Sequence, residues 1–158
     1  FFFPKSNPRR EITPEATAAI RALLDCGVVV KNQTVLLKGV NDSPGVLGSL
    51  LRKLTACGVV PYYIFQCRPV SGVKKIFQVP FSEGYDIALV EGAKAMQSGQ
   101  GKCFKYCMSH PKGKIEIIGK LNDGSMVFKF HQAKNNRDCG RAFIKKLSKD
   151  AAWLPDEL

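Results

Sequence analysis

The sequence predicts an α/β protein: a partial (β/α) barrel of parallel strands with crossover helices, then a C-terminal β-hairpin and helix. Three observations carry this reading. Residues 13–38 and 43–66 each run from a capped amphipathic helix through a glycine stop into an apolar strand, and such crossover helices must cover a parallel sheet. Beyond Lys114 the pattern changes to alternating runs joined through Asp123-Gly124, a hairpin signal. At 158 residues the chain is also shorter than the ~250 of a complete eightfold barrel. The predicted organisation is a partial barrel over residues 1–110 and a hairpin-plus-helix extension over 111–158.

The first helix begins at Thr13, whose hydroxyl can accept an orphan N–H, with Pro14 preset to helical φ behind it. Ala16, Ala19, Ile20, Leu23 and Leu24 form one stripe, and Gly27 closes the element. Val28 to Val30 and residues 34–38 follow as apolar runs, and TVLLK reads as a strand buried on both faces. The second unit repeats the scheme: Ser43 as cap, Pro44 behind it, Val46, Leu47, Leu50, Leu51 and Leu54 as the stripe, Gly58 as stop, then VVPYYIFQ. A third helix runs from Ser82 or Gly84 to Gln97 with Ile87, Val90 and Met96 inward, against the propensities of Gly84 and Gly92. Residues 103–108, 114–121 and 126–131 read as strands, residues 141–148 as a closing helix, and Trp153 as a residue that packs back on the body.

With 45% hydrophobic and 23% charged residues the composition is globular. No apolar run approaches the ~20 residues of a membrane span, and Phe1 to Phe3 are too short for a signal-peptide core, so a soluble, cytoplasmic protein is predicted. The six cysteines are read as reduced thiols, with Cys26 and Cys57 as small buried residues at helix ends. The net charge of +11 is spread: residues 1–100 hold 12 basic and 7 acidic side chains, residues 101–158 hold 12 and 6. That describes a solvated basic face. The alternative from a different class is a non-catalytic basic module for phosphate-rich partners, with Lys112, Lys114, Lys120, Lys129, Lys134, Arg137 and Arg141 around Phe128 and Phe130 as stacking platforms. Phenylalanines at alternate strand positions are more often core, and the pair is read so.

In parallel β/α folds ligands lie beyond the carboxyl ends of the strands, which here selects residues 38–42, 66–68 and 109–114. Cys103, Cys107 and His110 make a C-x3-C-x2-H spacing that could hold a metal. The plainer reading is strand cysteines beside a loop histidine. His131, ending the strand FKFHQAK, reads as a surface or capping residue.

REITPE at Arg10, NQTVLLKGVND at Asn32, PYYIFQC at Pro61 and FQVPFSEGYDI at Phe77 resemble the second half of the barrel in radical S-adenosylmethionine (SAM) enzymes of the lysine 2,3-aminomutase family, over about residues 9–97. The resemblance implies a 5'-deoxyadenosyl radical made from SAM at a four-iron four-sulfur cluster, and pyridoxal phosphate in the aminomutases proper. It implies that Gln33 contacts the methionyl end of SAM and that Tyr63 borders the same pocket. The family's C-x3-C-x2-C triplet is absent, so the cluster ligands are expected from the N-terminal half of a barrel or from another chain. Arg68 stands where the aminomutases carry an Asp for the substrate's distal ammonium, which implies, with Ser109 beside it, a small-molecule substrate other than lysine. SHPKGKIEI at Ser109 lacks the family's glycine run, so a Schiff base to pyridoxal phosphate at Lys112 or Lys114 would need a rearranged loop.

Phe1 to Arg10 match the family poorly, as a strand cut short. The expectation is the carboxyl-terminal portion of a radical SAM protein, inactive alone and prone to self-association at two open sheet edges.

Overall fold

A computed structural model describes residues 1–72, 76–97 and 104–158. Along these run α1 (Pro14–Asp25), β1 (Lys31–Leu36), α2 (Pro44–Ala56), β2 (Val60–Gln66), α3 (Phe81–Gln97), β3 (Lys105–His110), β4 (Gly113–Lys120), β5 (Met126–Ala133) and β6 (Ala142–Lys145). The Thr13 hydroxyl accepts from Ala16 N at 3.2 Å and the Ser43 hydroxyl from Val46 N at 3.4 Å, so both helices start at the caps read from sequence. Both stop at a glycine of positive φ, Gly27 at 76° and Gly58 at 82°, a conformation that costs glycine nothing.

The strands form one open mixed sheet in the order β1-β2-β3-β4-β5-β6. β1, β2 and β3 are parallel; β3 to β6 are antiparallel. The parallel β/α units are thus present, but the described sheet does not close. Its β1 edge is lined by isolated parallel bridges from Phe2 to Val30 and from Lys5 to Gln33.

One face of the sheet is buried under α2 and α3. Leu36, Ile64, Tyr106, Met108, Ile115, Ile117, Phe128 and Phe130 meet Leu47, Leu51, Phe81, Ile87 and Leu154 there, in one cluster joining the parallel and antiparallel halves. Phe128 and Phe130 are core, at 0% and 1% exposure. A second cluster of Ile12, Ile20, Val30, Leu50, Leu54 and Val59 seats α1 on α2. Trp153 packs against the main cluster.

Several expectations are corrected. No helix forms at residues 141–148; β6 pairs instead with β5, Phe128 opposite Phe143. An unpaired edge on β5 and the stacking of Phe143 on Phe128, centroids 5.5 Å apart at 20°, outweigh the helical propensity of so short a segment. β1 is buried on one face only, through Asn32, Thr34 and Leu36, while Gln33 and Val35 are half-buried, because among the described residues no helix covers the second face. Ala19, Val46 and Val90, read as inward, are exposed. Cys26 is exposed and Cys57 half-buried, both free, since the helix C-caps they occupy lie at the surface. Cys103 and the side chain of Met96 lie outside the described residues. Among the described residues no helix is long and apolar enough to cross a membrane.

Candidate functional site: the concave face and its carboxyl rim

The uncovered face gathers aromatic, charged and amide side chains. Strand alternation places Gln33 on β1, Tyr63 and Phe65 on β2, Lys105 and Cys107 on β3, Lys114 and Glu116 on β4, and Lys129 and His131 on β5 away from the helices. Gln33 and Tyr63 are register partners, as are Tyr63 and Lys105. Tyr63 Oη and His131 Nε2 share a hydrogen bond of 2.7 Å, although β3 and β4 lie between their strands. In a flat sheet strands three apart are separated by ~14 Å. The contact therefore requires the sheet to curl with this face inside.

Around that contact the groups are dense. The Lys114 ammonium lies 4.3 Å from the Tyr63 ring centroid and 5.7 Å from that of Phe65, within cation–π range. Tyr62 meets Tyr63 edge-on at 4.2 Å. Lys105 pairs with Glu116 at 2.7 Å. Burial, helped by the Tyr62 phenol, pushes the Tyr63 hydroxyl above the usual phenol range. Burial first, then the Glu116 charge, pushes the Cys107 thiol up to about 12, so it is a neutral thiol and no ready nucleophile. Burial first, then the Lys105 ammonium, holds the His131 imidazole below its ordinary value, with Glu116 opposing. Two neutral partners thus meet in the Tyr63–His131 bond.

The carboxyl rim lies at the ends of β2 and β3. Arg68 Nη2 donates to Ser109 O at 3.0 Å, bringing together the two residues assigned to substrate. Gln66 is committed elsewhere: its Nε2 donates to Val79 O at 2.6 Å and to Ala152 O at 2.8 Å, and its Oε1 accepts from Tyr106. On the helix side of the rim a cleft of about 650 Å³ opens among Lys38, Pro69, Gln78, Pro80, Trp153 and Pro155. Lys112 is exposed in the β3–β4 turn, apart from Lys114 on the concave face.

Cys107 and His110 do not assemble a metal site. Three residues apart on one strand, they face opposite sides; Cys107 meets the concave face, and His110 meets the C-terminal segment. Both ring nitrogens of His110 are used, Nδ1 accepting from Lys112 N at 3.2 Å and Nε2 lying 3.1 Å from Pro155 O. Among the described residues no group of three His, Cys, Asp or Glu side chains could hold a metal, so these residues do not fit a cluster. Gln33 and Tyr63 are adjacent on an aromatic floor, where Gln33 carries an amide that can both donate and accept.

His131 is the residue that strand reading passed over. Its only local signal is its place at the end of an alternating strand, and its partner is 68 positions away.

The two imidazoles set a pH response. Burial first, then the Lys112 ammonium, lowers His110, against the Pro155 carbonyl and Asp156. A folded-state value below the unfolded 6.5 means that the unfolded chain binds more protons, so this stability is complete above pH 6.5 and is lost as pH falls below it. The depressed carboxyls, Glu15 and Asp123, act only below their unfolded values of 4.5 and 3.8. The urea midpoint should therefore fall between pH 7.5 and 5.5, and by less in His110→Gln. A midpoint that rises on acidification would refute the neutral imidazoles.

No family model matches the chain. It is 41% identical over 150 residues to an Aquifex aeolicus protein named "Putative L-lysine 2,3-aminomutase", covering 95% of this chain and 39% of that one. It is 44% identical over 93 residues, 59% of this chain and 21% of the relative, to the L-lysine 2,3-aminomutase of Fusobacterium nucleatum. It is 36% identical over 107 residues, 68% of this chain and 24% of the relative, to the glutamate 2,3-aminomutase of Clostridioides difficile. The chain thus spans about two fifths or less of the length of these relatives. It belongs to the lysine 2,3-aminomutase family of radical SAM proteins, matching the carboxyl-terminal part of its members.

Proposed function

We propose that this chain forms the SAM- and substrate-facing wall of a radical SAM protein of aminomutase type, as an arc of a (β/α) barrel. The observation that carries the reading is the gathering of Gln33, Tyr63 and Lys114 on the concave face with Arg68 and Ser109 at its carboxyl rim. In such proteins the cluster and SAM together supply a 5'-deoxyadenosyl radical. Gln33 offers an amide to the amino-acid end of the ligand, and Tyr63, buried beneath the Lys114 ammonium, forms the floor below it. The curl of the sheet and the flanking rings of Tyr62 and Phe65 keep water from that floor. The cluster-holding cysteines come from polypeptide other than these 158 residues, so the chain alone is inactive.

Arg68 directs the rim to an anionic group on the substrate, since a guanidinium repels an ammonium and pairs with a carboxylate. The relatives are named for lysine at 41% and 44% identity and for glutamate at 36%, so the choice rests on Arg68. Calorimetry with the purified chain is expected to show SAM binding that Gln33→Ala weakens by about 3- to 10-fold, the worth of one hydrogen bond. L-Glutamate should bind in preference to L-lysine, and Arg68→Asp should remove that preference. Wild-type binding with lysine favoured would refute the substrate reading. Anaerobic reconstitution should give no four-iron spectrum; one that Cys103→Ser and Cys107→Ser abolish would refute the inactivity.

A further inference from the structure

We propose that His131 is a positioning residue: it fixes the Tyr63 phenol across the curled sheet, so that the β4–β5 hairpin sets the orientation of the ligand floor. This rests on the reading that Tyr63 and Gln33 hold SAM. The Tyr63 side chain is buried, yet its hydroxyl is held at 2.7 Å by a residue of β5, two strands beyond its nearest neighbour β3. The rings meet nearly edge-on, centroids 5.9 Å apart at 65°, which fixes the phenol's tilt as well as its reach. The Lys114 ammonium lies 4.3 Å from the centroid of the same ring, so the phenol's tilt sets the surface that this cation meets. One imidazole thus couples the π face to the cation beside it. A residue needed only for packing would not have to present a ring nitrogen to a hydroxyl here, and leucine would fill the space.

The chain contains only two histidines, so the 15N signals of the imidazoles are assigned at once by His131→Gln. In Tyr63→Phe the His131 ring signals should shift while those of His110 stay in place. SAM binding, followed by calorimetry, should weaken about fivefold in His131→Leu and in Tyr63→Phe, with the double variant no weaker than either single one, as for residues that act as one unit. His131→Gln, whose amide can still bond the phenol, should bind within twofold of wild type. Unmoved His131 signals in Tyr63→Phe, or additive losses in the double variant, would overturn the positioning role. Absence of SAM binding in the wild type, with the ring signals shifted, would overturn the ligand reading and leave the coupling of His131 to Tyr63 demonstrated.

Discussion

Gly113→Ala is expected to destabilise the chain by about 3 kcal/mol or more, because it combines backbone strain of ~1–3 kcal/mol with overpacking of similar size. Gly113 opens β4 at φ 143°, where L side chains are strained. A methyl there would collide with the Gln132 carbonyl oxygen and lie 2.8 Å from Ala133 Cα. Both obstacles are backbone of the neighbouring strand, so relief requires β5 to move away from β4. That movement takes apart the rim as well: Ser109, Lys114 and His110 are held by the pairing of β3 with β4 around this glycine. For a chain of this size the loss corresponds to a melting temperature lower by roughly 6–12 °C. A melting point within 2 °C of wild type would show that the turn has another conformation.

Phe128→Ala should cost about 3–5 kcal/mol, the range for truncating a fully buried aromatic. The ring is 0% exposed. It meets Phe81 at the start of α3 at 5.4 Å and 77°, and Phe143 of β6 at 5.5 Å and 20°. Its loss loosens helix, hairpin and edge strand together. Phe128→Leu, which keeps most of the volume, should cost about 1.5 kcal/mol or less. Urea denaturation separates the two. Equal losses in both variants would mean that ring stacking, rather than filled volume, holds this junction.

Local physics made much of the fold readable. Thr13-Pro14 and Ser43-Pro44 announce two helices because a capping hydroxyl and a preset φ act within four residues. Asp123-Gly124 turns the hairpin because a left-handed residue is needed there, and Gly124 supplies φ 82°. The segments 109–114 and 66–68 were selectable as rim because strand direction fixes which end faces a ligand. α3 shows the limit. Gly84 counts against a helix by propensity, yet an alanine Cβ there would lie 3.0 Å from Tyr106 Cζ and 3.0 Å from Leu36 Cδ2. The glycine is in the helix for the close approach of α3 to the sheet. A buried carboxylate is similar: Glu91, 2% exposed, packs against Gly48 and bridges to Arg52 and Lys94 at 3.9 and 3.2 Å, partners that lie on two helices.

The amino-acid sequence by itself determined the parallel β/α units, the hairpin and the family, since caps, periodicity and motif wording are written in neighbouring residues. Only the tertiary structure decided that residues 142–145 become an edge strand, that β1 is covered on one side, and that His131 reaches Tyr63. The reason is range: strand pairing and sheet curl are set by how the whole core packs, and that energy is shared among residues far apart in the chain.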